Sequence, residues 1–146
     1  LFSTVWEAEG VLAATESMIF SVHMTTGERK REQELNVANQ HPIYIDGYVY
    51  VAGDGNTLYN VGDEEGEWQY ETDADVSAQI AGMVTYGAVY VADEDGVFSS
   101  VNFIEGTERW SFDTDGVVRS TPAVGTGTVY IGTDTGRLYA LVEKDP

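Results

Sequence analysis

An all-β propeller built from four-stranded antiparallel blades is predicted by three observations. A Gly-x-Val-Tyr-Val cluster returns every 40 residues, short apolar runs replace any helical periodicity, and Gly- and Asp-rich turns separate the runs. Gly47, Val49, Tyr50 and Val51 recur as Gly87, Val89, Tyr90 and Val91, then as Gly127, Val129, Tyr130 and Ile131. The same step carries Leu58 to Phe98 to Leu138, Val61 to Val101 to Leu141, and Gly66 to Gly106. A drift of one residue brings in the first quarter, where Ile19, Val22 and Gly27 sit 39 residues before Leu58, Val61 and Gly66. About four repeats are expected, over residues 1–39, 40–79, 80–119 and 120–146, as a single domain.

Within one repeat the elements follow in order. Ala123-Val124 reads as an inner strand, Thr128 to Gly132 as a continuous apolar strand, Arg137 to Val142 as a third strand and Arg109 to Phe112 as an outer strand. The fourth repeat reaches Pro146 before its outer strand. The run Tyr48-Val49-Tyr50-Val51 and its copies are apolar throughout, where a half-exposed strand would alternate. Packing between two neighbouring blades buries both faces of such a strand. Tyr50, Tyr90 and Tyr130 therefore read as packing residues. Asp54-Gly55-Asn56, Asp95-Gly96 and Thr135-Gly136 mark tight hairpins between second and third strands. No long helix is expected.

Composition bounds the function classes. With 42% hydrophobic and 12% aromatic residues the chain carries enough for a sheet core. The absence of cysteine excludes a disulfide framework, thiolate metal ligation and a thiol nucleophile. No segment has the length of a membrane span. The net charge is −18, with 25 acids spread over nearly every loop against 7 basic residues. A carboxylate-rich, lysine-poor surface of this kind is expected of a salt-loving archaeon, where concentrated salt screens self-repulsion. Nucleic-acid binding is excluded for want of a basic face to replace counterions on phosphates.

The outer strand carries a family resemblance. Ser100-Val101-Asn102-Phe103-Ile104-Glu105-Gly106-Thr107-Glu108-Arg109-Trp110 closely resembles the tryptophan-docking motif of the pyrroloquinoline quinone repeat. The segments from Ser120 to Gly132 and from Asp134 to Leu141 continue that pattern, so the resemblance covers essentially the whole chain. It implies that Trp110 and Trp68, with Gly106 and Gly66, glue each blade to the next. In the second repeat Trp68 follows Gly66 by two residues, whereas Trp110 follows Gly106 by four, so one connection is shortened. In the first repeat Arg31 stands where tryptophan is expected and His23 where Asp or Asn is expected. Arg29, Lys30 and Arg31 make that edge the candidate contact surface for an acidic partner or a second copy.

The resemblance also implies a complete ring of seven or eight blades, so this array reads as half of an eight-bladed propeller. Either the missing blades belong to a longer chain or two copies join, with Leu1-Phe2 of a partner completing the last blade. The family's best-known members are quinoprotein dehydrogenases that hold the quinone over calcium on the propeller axis. Their adjacent cysteine pair is impossible here. Asp93-Glu94-Asp95-Gly96 and Asp113-Thr114-Asp115-Gly116 lack EF-hand spacing and read as turns. His23 and His41 lack any metal-binding or triad context. The leading expectation is a non-catalytic scaffold or protein-interaction module without cofactor, its habits suggesting an extracellular or cell-surface place. The alternative is a fragment of a quinoprotein dehydrogenase that binds pyrroloquinoline quinone and calcium through blades not present.

Overall fold

Hairpin turns at fixed spacing, joined to strands too short and apolar to stand alone, fold into successive up-and-down sheets. The computed structural model describes residues 4–7, 10–15, 17–35, 41–53, 55–61, 67–78 and 80–143. Blade 1 contains β1 (Thr4–Glu7), β2 (Gly10–Ala14), β3 (Met18–His23) and β4 (Arg29–Glu34). Blade 2 contains β5 (Ile43–Ile45), β6 (Tyr48–Ala52), β7 (Thr57–Asn60) and β8 (Trp68–Glu71). Blade 3 contains β9 (Ala81–Met83), β10 (Ala88–Ala92), β11 (Val97–Asn102) and β12 (Glu108–Asp113). Blade 4 contains β13 (Ala123–Gly125), β14 (Thr128–Gly132) and β15 (Leu138–Val142). Each sheet is antiparallel with its strands in chain order, and among the described residues the only helix is one 3-10 turn, Val84–Tyr86.

The inner strands β1, β5, β9 and β13 neighbour one another in turn, which ranks the blades around an axis. Each blade therefore has a forward face toward the next blade and a backward face toward the one before. Ile19 of blade 1 meets Val49, Val51 and Val61 of blade 2. Tyr50 and Leu58 of blade 2 meet Val89, Val91 and Val101 of blade 3. Tyr90 and Phe98 of blade 3 meet Val129 and Ile131 of blade 4. Each large side chain buried in such a seam contributes about 1.5–3 kcal/mol.

The hairpin glycines Gly55, Gly96 and Gly136 all take positive φ, as tight turns require. β10 is buried at every position, and β6 at all but its first. β14 differs: Tyr130 is 44% exposed because no described blade covers its forward face. The packing expected of Tyr50 and Tyr90 thus does not extend to the last copy. Asp54, Gly66 and Leu1-Phe2 lie outside the described residues.

The shortened connection in the second repeat has a structural counterpart. Asn60 pairs with Trp68 in an unbroken β7–β8 register, whereas β11 and β12 shift register between Ser100 and Val101. β3 and β4 shift at the equivalent place, between Ser21 and Val22. The two extra residues before Trp110 are thus partly taken up as a bulge. Ser21 pairs with Arg31 where Asn60 pairs with Trp68 and Ser100 with Trp110, so Arg31 does hold the tryptophan position.

Candidate functional site at the blade seams

The recurring side chains converge at the seams rather than around an open cleft. At the seam of blades 2 and 3, the Phe103 carbonyl accepts hydrogen bonds from the Tyr50 hydroxyl at 2.7 Å and from Trp68 Nε1–H at 3.1 Å. The Tyr50 and Trp68 rings lie 5.7 Å apart. Gly106 sits under the indole, where a Cβ would stand 2.5 Å from Trp68 Cδ2, and its φ of +69° also favours glycine. Farther out, the Tyr70 hydroxyl donates to Glu108 Oε2 at 2.6 Å.

At the seam of blades 3 and 4 a carboxylate replaces the carbonyl. Glu143 stands 40 residues after Phe103. Its Oε2 accepts from the Tyr90 hydroxyl at 3.0 Å and from Ser100 Oγ at 3.5 Å, and its Oε1 accepts from Trp110 Nε1–H at 3.1 Å. Arg109 NH1 lies 3.2 Å from the same Oε1 and also donates to the Tyr86 carbonyl. The Glu143 side chain is 0% exposed and that of Arg109 16%, so the charge pair is buried and surrounded by donors. The Trp110 ring contacts Tyr90 and Phe98 of its own blade while its N–H crosses to the next.

These surroundings shift the phenols upward. Burial is the main cause at Tyr50 and Tyr90, and the Glu143 carboxylate adds to it at Tyr90. Burial and then the hydrogen bond to Glu108 push Tyr70 up to about 12.

The acidic loops hold their own turns or the next blade. Asp93 Oδ1 accepts from the N–H groups of Asp95 at 3.1 Å and Val97 at 2.8 Å, and burial raises its carboxyl. Asp115 accepts from the Tyr139 hydroxyl at 2.8 Å and Thr133 Oγ1 at 3.1 Å, and pairs with Arg137 Nε at 3.1 Å. The Tyr139 bond is the main cause holding its carboxyl below the usual range. His23 replaces Asn chemically as well as in register. Its Nδ1 accepts from the N–H groups of Thr25 and Thr26 at 3.2 and 3.3 Å, as Asn102 Oδ1 does from Ile104 and Glu105 at 2.9 and 3.1 Å.

Of the basic edge, Arg29 pairs with Glu32 at 2.8 Å and lies 4.7 Å from the Phe20 ring centroid. Lys30 and Arg31 follow it on β4. The Arg109–Glu143 pair is the feature that sequence reading misses. Its one signal is a Glu at the step beyond Phe103 combined with an Arg beside the docking tryptophan. Among the described residues no group of three or more His, Cys, Asp or Glu could hold a metal ion. Among them, too, no helix is long and apolar enough to cross a membrane.

Blades of this topology, repeated at a 40-residue step and locked through Trp68 and Trp110, define a β-propeller of the pyrroloquinoline quinone repeat class. The family model described as outer membrane protein assembly factor BamB matches residues 3–145, and the chain belongs to that family. BamB from Moraxella catarrhalis superposes with a TM-score of 0.73 at 19% identity, over 94% of this chain and 41% of that one. The computationally designed Ika4 protein gives 0.71 at 15% identity, over 98% of this chain and 91% of that one. The designed Ika8 protein gives 0.73 at 16%, over 97% and 45%. The chain thus spans less than half the length of that BamB. No curated protein matches it.

Proposed function

We propose that this chain is a non-catalytic propeller scaffold that binds other proteins through loops at one end of its blades. The observation that carries this reading is where the recurring polar and aromatic groups go. Tyr50, Trp68, Tyr90, Trp110, Arg109 and Glu143 are all engaged between blades, as structural docking groups. The loops that join third to fourth strands, and those that join first to second, open at the same end of each blade. Met24, Val84 and Ile104 lie in those loops at 51%, 54% and 58% exposure, apolar side chains offered to a partner. The family's description as an assembly factor agrees with such a role.

The test is to mix the purified chain with pyrroloquinoline quinone and calcium, separate it by gel filtration and assay dye-linked alcohol oxidation. The scaffold reading expects free quinone and no turnover. Quinone eluting with the protein at one per chain would favour a dehydrogenase fragment instead.

A further inference from the structure

We propose that Val84 and Ile104, on two neighbouring loops of blade 3, together with the carboxylates of Asp46, Glu67 and Glu105 around them, dock a partner segment that combines aliphatic side chains with lysine or arginine. The inference rests on the scaffold reading and gives its partner a chemistry. Blade 3 lies between blades 2 and 4, so these loops have described neighbours on both sides. Val84 and Ile104 are nevertheless 54% and 58% exposed, whereas Phe103, next to Ile104, is 7% exposed.

Both loops are held in place from within the blade. The turn that carries Val84 closes with the Gly87 N–H donating to the Val84 carbonyl at 3.0 Å, and Arg109 donates to the Tyr86 carbonyl. The Phe103 N–H donates to the Gly87 carbonyl at 3.0 Å, which joins the two loops. Asn102 Oδ1 accepts from the Ile104 N–H at 2.9 Å and fixes the second of them. An apolar surface preformed in this way loses little conformational freedom when a partner covers it.

The charge around this apolar pair calls for a basic partner. Asp46 lies on the first loop of blade 2, and Glu67 at the end of the loop before β8, where Trp68 Nε1–H reaches the Phe103 carbonyl. Burial first, then Tyr48 and the Asp46 carboxylate, raise the Tyr50 phenol, so Asp46 stands within electrostatic reach of the hydroxyl that bonds the same carbonyl. Glu105 follows Ile104 directly. All three carboxylates are exposed, and among the described residues none of them pairs with a basic side chain. At the opposite end of the blades Glu94 pairs with Arg119 at 2.6 Å and Asp115 with Arg137 at 3.1 Å, and no large apolar side chain of a described loop is exposed. Apolar surface and carboxylates without a counter-charge therefore coincide at one end. A net charge of −18 repels an anionic membrane or an acidic protein, whereas lysine or arginine beside an aliphatic side chain satisfies both demands.

The test is fluorescence anisotropy with a labelled synthetic peptide of repeating Leu-Lys-Lys-Leu, in the lowest potassium chloride concentration that keeps the strand signal in circular dichroism. Saturable binding is expected, with a Leu-Glu-Glu-Leu peptide inert and a Ser-Lys-Lys-Ser peptide weaker. Val84→Ser with Ile104→Ser should weaken the leucine-lysine peptide about tenfold, and Asp46→Asn with Glu105→Gln by a similar factor. Asp73→Asn with Asp113→Asn, an equal change of charge at the opposite end, should alter it less than about twofold. All six side chains are exposed, so each double variant is expected to keep the native spectrum. Equal losses from the two charge pairs, indifference to Val84 and Ile104, or no binding at all would overturn the docking surface and leave the scaffold reading standing. Quinone eluting with the chain would overturn that reading separately, whatever the peptide does.

Discussion

Glu143 is the residue on which the last seam depends most. Truncating it to Ala leaves the Tyr90 hydroxyl, the Trp110 N–H and the Arg109 guanidinium without their shared acceptor. Removing one partner of a buried pair costs about 3–5 kcal/mol. Urea denaturation of Glu143→Ala should show a loss of that order, and a loss below about 1 kcal/mol would mean that the pair is not closed in solution. The phenols give a second residue-level expectation. An unfolded tyrosine titrates near 10, whereas burial and the hydrogen bond to Glu108 push Tyr70 up to about 12, and burial shifts Tyr50 and Tyr90 in the same direction. Their neutral forms are favoured by folding, so the stability they lend is complete below pH 10 and is lost as pH rises through 12. Phenolate absorbance followed alongside circular dichroism should show ionisation of these groups delayed until the fold gives way. Glu143 shows why such a residue is hard to read from sequence. Its counterpart Phe103 accepts through the backbone, which any residue supplies, so the repeat leaves no side-chain pattern from which to step.

At the scale of elements, the legible parts are those where side-chain type itself is constrained. β6 and β10 are plain in the sequence because two-sided burial demands apolar residues at successive positions, and the hairpins because positive φ selects Gly. The bulges at Lys30 and Arg109 are less plain, since an extra residue shows only as a change of spacing. His23 shows how a turn survives a change of residue type, because an unprotonated ring nitrogen accepts the same two N–H groups as an Asn oxygen. The contact of β8 with blade 3 gives the sharpest test at this scale. Gly106→Ala combines a left-handed φ with overlap against Trp68 and should cost about 2 kcal/mol or more. In a Trp68→Ala background the steric part should vanish, so the two losses should fall short of adding. Strict additivity in chemical denaturation would place the indole elsewhere.

For the whole molecule, charge and interlock set opposing demands. The chain carries −18 over four thin sheets, and we expect its stability to rise steeply with potassium chloride as repulsion is screened. A melting temperature that stays flat from dilute to concentrated salt would show that the acidic surface does not govern the fold. Blade order was foreseeable from the 40-residue step, whereas Tyr130 is exposed because no described blade covers its face, which the repeat pattern does not show. That successive blades are locked by forward-face donors onto one acceptor at residues 103 and 143 is tested most directly by a double-mutant cycle on Trp110 and Glu143. Trp110→Phe and Glu143→Gln, measured singly and together by urea denaturation, should show a coupling of about 0.5–3 kcal/mol. A coupling indistinguishable from zero would contradict the lock.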